Sequence, residues 1–211
     1  MRLFAVMAAL SLVCASVFAQ SSPAPTPGRP LAHDRHDGVT VSIDPYTDLA
    51  RAKDKFGKAN PLDAGVLPLE VFIRNETDQP IRLKLDTIQL EVRYPNTGRQ
   101  DIDWLTPIEV ADLIAHPGAP NVQRRRLPGG IPLPSRDKKT DKLADILRPF
   151  ALDADILPPM AAIHGFLFFN LARQMKLVEN ASLYVPDLVE IPTNKPLIFF
   201  DVPLGNPTQP Q

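Results

Sequence analysis

Between residues 66 and 94, apolar and polar positions alternate in three consecutive runs. Leu67, Leu69, Val71 and Ile73 fall on one side of the first run, with Glu70 and Arg74 on the other. Ile81, Leu83 and Leu85 alternate with Arg82 and Lys84, and Ile88, Leu90, Val92 and Tyr94 with Gln89, Glu91 and Arg93. Side chains of a strand change face at every residue, so a period of two marks a strand with one wet face. Three such runs joined by turn residues predict an antiparallel meander. The first turn, Asn75-Glu76-Thr77-Asp78-Gln79-Pro80, also contains an N-glycosylation acceptor triplet. Asn and Asp side chains bond nearby backbone, and Pro80 enters a strand without needing a donor, so turn chemistry is the better reading.

Val39, Val41 and Ile43 alternate with Thr40 and Ser42 and predict an earlier strand; Asp101-Ile102-Asp103-Trp104 predicts a later one. Helical spacing replaces the alternation at Leu49, Ala52 and Phe56, where Thr47 or Asp48 can cap a short surface helix and Gly57 can end it. Thr106-Pro107-Ile108-Glu109 is a capping box with proline at the first helical position, followed by the apolar stripe Val110, Leu113 and Ile114. Leu143, Ile146, Leu147 and Phe150 predict a second helix. Residues 116–140 lie between the two without regular pattern. The span from about 105 to 158 therefore reads as a helical insertion carrying a long loop.

Strands return in the last third. Residues 161–171, "AAIHGFLFFNL", are almost continuously apolar, which fits a strand buried on both faces or one bulged at Gly165. Two further runs follow on either side of the Pro192–Pro196 turn. Composition then narrows the fold. Proline makes up 24 of 211 residues, and proline is excluded from helix interiors and central strands. Short elements and many loops are expected. The predicted class is mostly β, an immunoglobulin-like antiparallel β-sandwich with a short helical insertion and a long basic loop.

The first nineteen residues pair Arg2 with an apolar core and end in Val17-Phe18-Ala19, the pattern of a secretory signal peptide cleaved between Ala19 and Gln20. The apolar core is too short for a membrane span. Cys14, the only cysteine, leaves with it, so no disulfide is expected. The reading divides the chain into a signal peptide (1–19), a Pro/Ser-rich linker (20–37), a sandwich domain (38–204) and a flexible tail (205–211). A periplasmic or extracellular location follows.

Net charge is −1, so no global field points to nucleic acid or membrane. Charge is instead concentrated locally. Arg124, Arg125, Arg126, Arg136, Lys138 and Lys139 in the inserted loop are opposed only by Asp137. Guanidinium groups pair with phosphate and carboxylate in two-point fashion, which suits an anionic envelope component or an acidic envelope protein. "HDRHD" at 33–37 offers His33 and His36 as candidate metal ligands, although a spacer gives them no scaffold. Asp101 and Asp103 share one strand face about 7 Å apart at the backbone, a spacing open to hydrolysis or to a plain wet edge. No catalytic or cofactor-binding motif is recognised; His164, in an apolar run, reads as a packing residue.

The segments "VLPLEVFIRNETDQPIRL", "LPPMAAIHGFLFF" and "LIFFDVPL" together resemble uncharacterised bacterial secreted domains with an immunoglobulin-like fold. In such domains an early strand ends in an Asn-x-(Thr/Ser)-Asp-x-Pro turn and a late Pro…Gly-aromatic strand precedes the last hairpin. The resemblance implies a secreted binding or structural module and carries over no catalytic residue. Recognition through the inserted loop or an exposed sheet edge is the expectation. The alternatives are a hydrolase of envelope glycans or peptides using Asp101 and Asp103, and a periplasmic metal-binding protein using His33 and His36.

Overall fold

The computed structural model describes residues 32–94, 98–117 and 137–205. Strands β1 (Ala32–His36), β2 (Val39–Pro45), β3 (Val66–Asn75), β4 (Ile81–Leu83), β5 (Gln89–Tyr94) and β6 (Gly98–Leu105) precede the insertion. Strands β7 (Ile156–Leu157), β8 (Ala162–Asn170), β9 (Ala181–Val185), β10 (Leu188–Glu190), β11 (Lys195–Pro196) and β12 (Phe200–Pro203) follow it. Helix α1 (Leu49–Phe56) lies between β2 and β3, and α2 (Pro107–Ala115) and α3 (Lys138–Leu147) form the insertion. The chain is mostly β with antiparallel sheets.

One sheet runs β1-β2-β3-β8-β6-β5-β9-β12, and a small one runs β11-β10-β4-β7. The large sheet curls until its ends nearly meet, making a barrel-like wall. Side-chain carboxylates help join the ends: Asp34 accepts from the Asp201 backbone N–H at 3.2 Å and Asp37 from that of Ile198 at 3.3 Å. The His36 and Phe200 rings meet at 4.7 Å across the same seam.

The three patterned runs are strands, but they are not a meander. β3 pairs with β2 and β8, β4 with β7 and β10, and β5 with β6 and β9. Alternation fixes which face of a strand is buried and says nothing about its neighbour. Between β3 and β4, the Asn75 side chain organises a turn that leads the chain out of one sheet into the other. Between β4 and β5, Leu85–Thr87 form a single helical turn.

A second difference lies at the start. Residues 32–36, assigned to the linker, form β1, paired throughout with β2. The hairpin turns on Asp37 (φ 48°) and Gly38 (φ 74°), the two left-handed residues that suit a tight β-turn between twisted strands. β1 carries no apolar alternation, so its pattern was that of a spacer. The signal peptide, cleavage site, remaining linker and most of the tail lie outside the described residues.

The interior of the curled sheet holds Val39, Val41, Ile43, Leu67, Leu69, Val71, Ile73, Leu90, Leu183 and Val202, all buried. Outside the wall, Phe166, Phe168 and Val66 meet Phe56 of α1, Val110 and Ala111 of α2, and Leu143, Ala144 and Leu147 of α3. From Gly165 to Phe169, β8 is thus buried on both faces. Its register with β3 is continuous from Asn170 to Ala162, so Gly165 makes no bulge. The helices form where expected: the Asp48 side chain accepts from Arg51 N at 2.7 Å, and Glu109 accepts from Thr106 N at 2.8 Å. Ile146, expected on the buried stripe, is exposed.

Candidate functional site

The helical layer covers only half of the outer face of β1-β2-β3-β8. Strand register places Asp44, Glu70 and Phe166 side by side in the last covered row. Buried carboxylates need partners. Arg51 of α1 forks onto Asp44, one arm at 2.9 Å, with its guanidinium 3.6 Å from the Tyr46 ring centre. Tyr46 donates to Glu70 at 3.1 Å, and Lys55 lies 4.0 Å from the same carboxylate. Burial first, and Glu70 second, push the Tyr46 phenol up, keeping it a donor through the neutral range. Every charge in this row is answered, so its role is to seat α1 on the sheet.

Two further rows lie beyond the helices. One is His33, Ser42, Phe72 and His164; the next is Arg35, Thr40, Arg74 and Ala162. Phe72, Ser42 and Thr40 are half-buried, and the other five are exposed. The Phe72 and His164 rings are 5.7 Å apart and within 13° of parallel. Arg35 Nη2 donates to Glu76 Oε2 at 2.5 Å, while Arg74 Nε lies 3.8 Å from Glu76 Oε1. Glu76 itself is anchored by its backbone N–H, which donates to Gly38 O at 2.8 Å. The result is a shelf of aromatic, hydroxyl and guanidinium groups beside the helical cover.

His33 and His36 are not brought together. An odd separation on a strand sends them to opposite faces, His33 to the shelf and His36 to the seam, 2.8 Å from Asp34. Among the described residues no group of three or more His, Cys, Asp or Glu side chains is placed to hold a metal ion. Arg124, Arg125, Arg126 and Arg136 lie outside the described residues. Lys138 and Lys139 open α3; Lys139 Nζ donates to Ala115 O at 3.2 Å, satisfying the end of α2 rather than reaching outward.

Asp101 and Asp103 do share a face, and Trp104 turns to the other, donating to Leu85 O at 2.7 Å. Each carboxylate is already bonded: Asp101 to Arg99 at 2.8 Å and Asp103 to Gln89 at 3.0 Å. Opposite Asp101 stands Glu91, a buried carboxyl 2.5 Å from the Arg99 guanidinium. Burial raises the Glu91 pKa, Arg99 and Arg93 oppose that shift, and Asp201 and Asp101 add to it. A carboxyl whose folded value is raised stabilises the fold fully below its unfolded value of 4.5, and that contribution is lost as pH climbs through the raised value. Glu91→Gln removes the ionisation. Its stability profile is therefore expected to be flatter above pH 4.5 than that of the parent, measured by urea unfolding at a series of pH values.

No local pattern in the sequence announces the shelf. Its side chains come from positions 33 to 164, and only the β1-β2-β3-β8 order collects them. The Asp37-Gly38 dipeptide, a hairpin signal, was the one available clue to β1.

Fold and shelf together define a class: an antiparallel barrel-like β domain with a partial helical cover and an open cationic and aromatic face. No protein-family model matches the chain. No curated protein matches it either. Among solved structures, the chain is similar to "a functionally unknown protein from Listeria monocytogenes EGD-e", at 14% identity and a TM-score of 0.33, over 72% of this chain and 69% of that one. Among the described residues no helix is long and apolar enough to cross a membrane.

Proposed function

We propose that the protein is a secreted bacterial envelope component, periplasmic or extracellular, acting as a non-catalytic binding module through the shelf. The observation that carries the reading is the convergence of Arg35 and Arg74 on one carboxylate, on a face the helices leave open. Arginine and aromatic side chains are the residue types that dominate recognition surfaces, and guanidinium forks favour anionic partners. An anionic envelope component or an acidic envelope protein is the partner class. The basic run Arg124–Arg126 in the sequence has the same preference. Secretion rests on the amino-terminal pattern. Kinship with immunoglobulin-like domains is part of the proposal; two antiparallel sheets, with β4 leaving one for the other, support it.

Catalysis by Asp101 and Asp103 has less support, because both are engaged by neighbours on an open face. The binding reading is tested with isolated envelope material. The purified protein is expected to bind it in a salt-sensitive way, since exposed ion pairs weaken as salt rises. Joint replacement Arg35→Ala, Arg74→Ala is expected to lower retention at least about tenfold. Retention that ignores both arginines would remove the shelf as the recognition surface, and Arg124→Ala to Arg126→Ala would then show whether that basic run carries it.

A further inference from the structure

We infer that the shelf takes a carboxylate-bearing sugar, a uronic acid residue of an acidic polysaccharide, and that Glu76 is the internal competitor it displaces. The inference rests on the reading of the shelf as the recognition surface.

Arg35 stands on β1 and Arg74 on β3, with the Thr40 strand between them. Their guanidiniums nonetheless converge on one carboxylate, an oxygen for each. The space between them is therefore shaped for a carboxylate, and Glu76 marks where a ligand's would sit. Its hold is weak. The Arg35, Arg74 and Glu76 side chains are 62%, 70% and 36% exposed, and ion pairs in that setting contribute little. Two guanidiniums against one carboxylate also leave a positive excess. Because the Glu76 backbone is fixed to Gly38, release requires only side-chain rotation.

The next row lies about 7 Å along the strands. There the parallel Phe72 and His164 rings offer apolar contact to the C–H face of a sugar, and the Ser42 hydroxyl lies between β1 and β3, as Thr40 does in the arginine row. A sugar ring with its own carboxylate spans the two rows. An acidic peptide that adds a strand uses a sheet edge. Here β1 is flanked by the end of β12, and β8 is met by Ala151 and by β6. The open feature is the face.

Isothermal titration of the purified protein with oligogalacturonate tests the assignment, with its methyl ester, inorganic phosphate and a polyglutamate peptide alongside. Oligogalacturonate is expected to bind, and the other three to bind at least tenfold more weakly, about the step one charge-assisted contact supplies. Arg35→Ala and Arg74→Ala should each weaken binding on the order of tenfold, and His164→Ala about threefold. The telling variant is Glu76→Gln, expected to bind about threefold tighter because the competing charge is gone. Unchanged or weaker binding by that variant overturns the competitor, and equal binding of the ester, phosphate or polyglutamate overturns the uronate. If oligogalacturonate is ignored while envelope retention still needs Arg35 and Arg74, the sugar assignment alone falls. If neither ligand responds to the arginines, both readings fall.

Discussion

Asn75→Ala is expected to lower the free energy of unfolding by about 3 kcal/mol, a large loss for a polar residue. Asn75 is 1% exposed, and its side chain is bonded at both ends. Its amide nitrogen donates to Gln79 O at 2.8 Å and to Pro158 O at 3.0 Å. Its oxygen accepts from Thr77 N at 2.9 Å and from the Thr77 hydroxyl at 2.7 Å. One planar amide thus closes its own turn and pins that turn to the approach of β8, eighty-three residues on. Alanine forfeits all four bonds of this buried amide, each worth about 0.5–1.5 kcal/mol net. Thr77→Val is the control. It keeps the shape and the Thr77 N–H bond to Asn75 and loses only the hydroxyl, which donates to Asn75 Oδ1 and accepts from Gln79 N, so about 1 kcal/mol is expected. Urea unfolding of the three proteins measures the difference, and a loss below about 1 kcal/mol for Asn75→Ala would refute the account. The same bonds explain why the Asn75-Glu76-Thr77 triplet is not an address for a glycan in the folded chain: its nitrogen is committed to two carbonyls.

What could be read from the sequence follows from what each signal encodes. Leu67, Leu69, Val71 and Ile73 alternate because one face of β3 meets the interior, and that face was legible. The partner strands were not, because alternation is the same whether β3 lies beside β4 or beside β2 and β8. The apolar run around Phe166–Phe169 fits a doubly buried strand or one bulged at Gly165, because no polar residue interrupts it, and only the continuous register with β3 decides for the first. Thr106 to Glu109 announced a helix start because capping is local in sequence. By contrast, β1 is held by backbone pairing to β2 and by two carboxylates across the seam, and "AHDRH" has the composition of a spacer. Arg35 and Arg74 had no visible relation until β1 and β3 were placed on either side of β2. Alternation alone puts Asp101 and Asp103 on one face, but the buried carboxyl beside them, Glu91, has the pattern of any wet-face residue of an alternating strand.

Gly165→Ala is expected to cost about 3 kcal/mol, although it adds a single methyl group to an extended strand. The reason is the neighbour, not the glycine's own backbone, which follows the β3 ladder without a break. A Cβ built at Gly165 would lie 2.6 Å from both Leu152 Cα and Leu152 N, and 3.0 Å from the Ala151 carbonyl carbon. These are main-chain atoms and have no rotamer by which to yield. They are also held in place: Leu152 N donates to Phe166 O at 3.0 Å, and Ala151 bridges Phe166 in parallel. The methyl group must therefore either bend β8, which is packed on both faces, or push residues 151–152 off it. The second is the cheaper failure, because it breaks one bridge rather than nine ladder positions. It would lift Leu152 out of the interior cluster, where that side chain is 3% exposed. Two measurements separate this from a general loss of stability. Urea unfolding should show the drop, and amide hydrogen exchange should show the Leu152 N–H unprotected while the β3–β8 ladder stays slow. A Gly165→Ala protein as stable as its parent, with Leu152 still protected, would mean that the 151–152 segment does not cross β8 this closely. The helical layer, which reaches the sheet partly through Phe150 and Ala151, would then need a different seat.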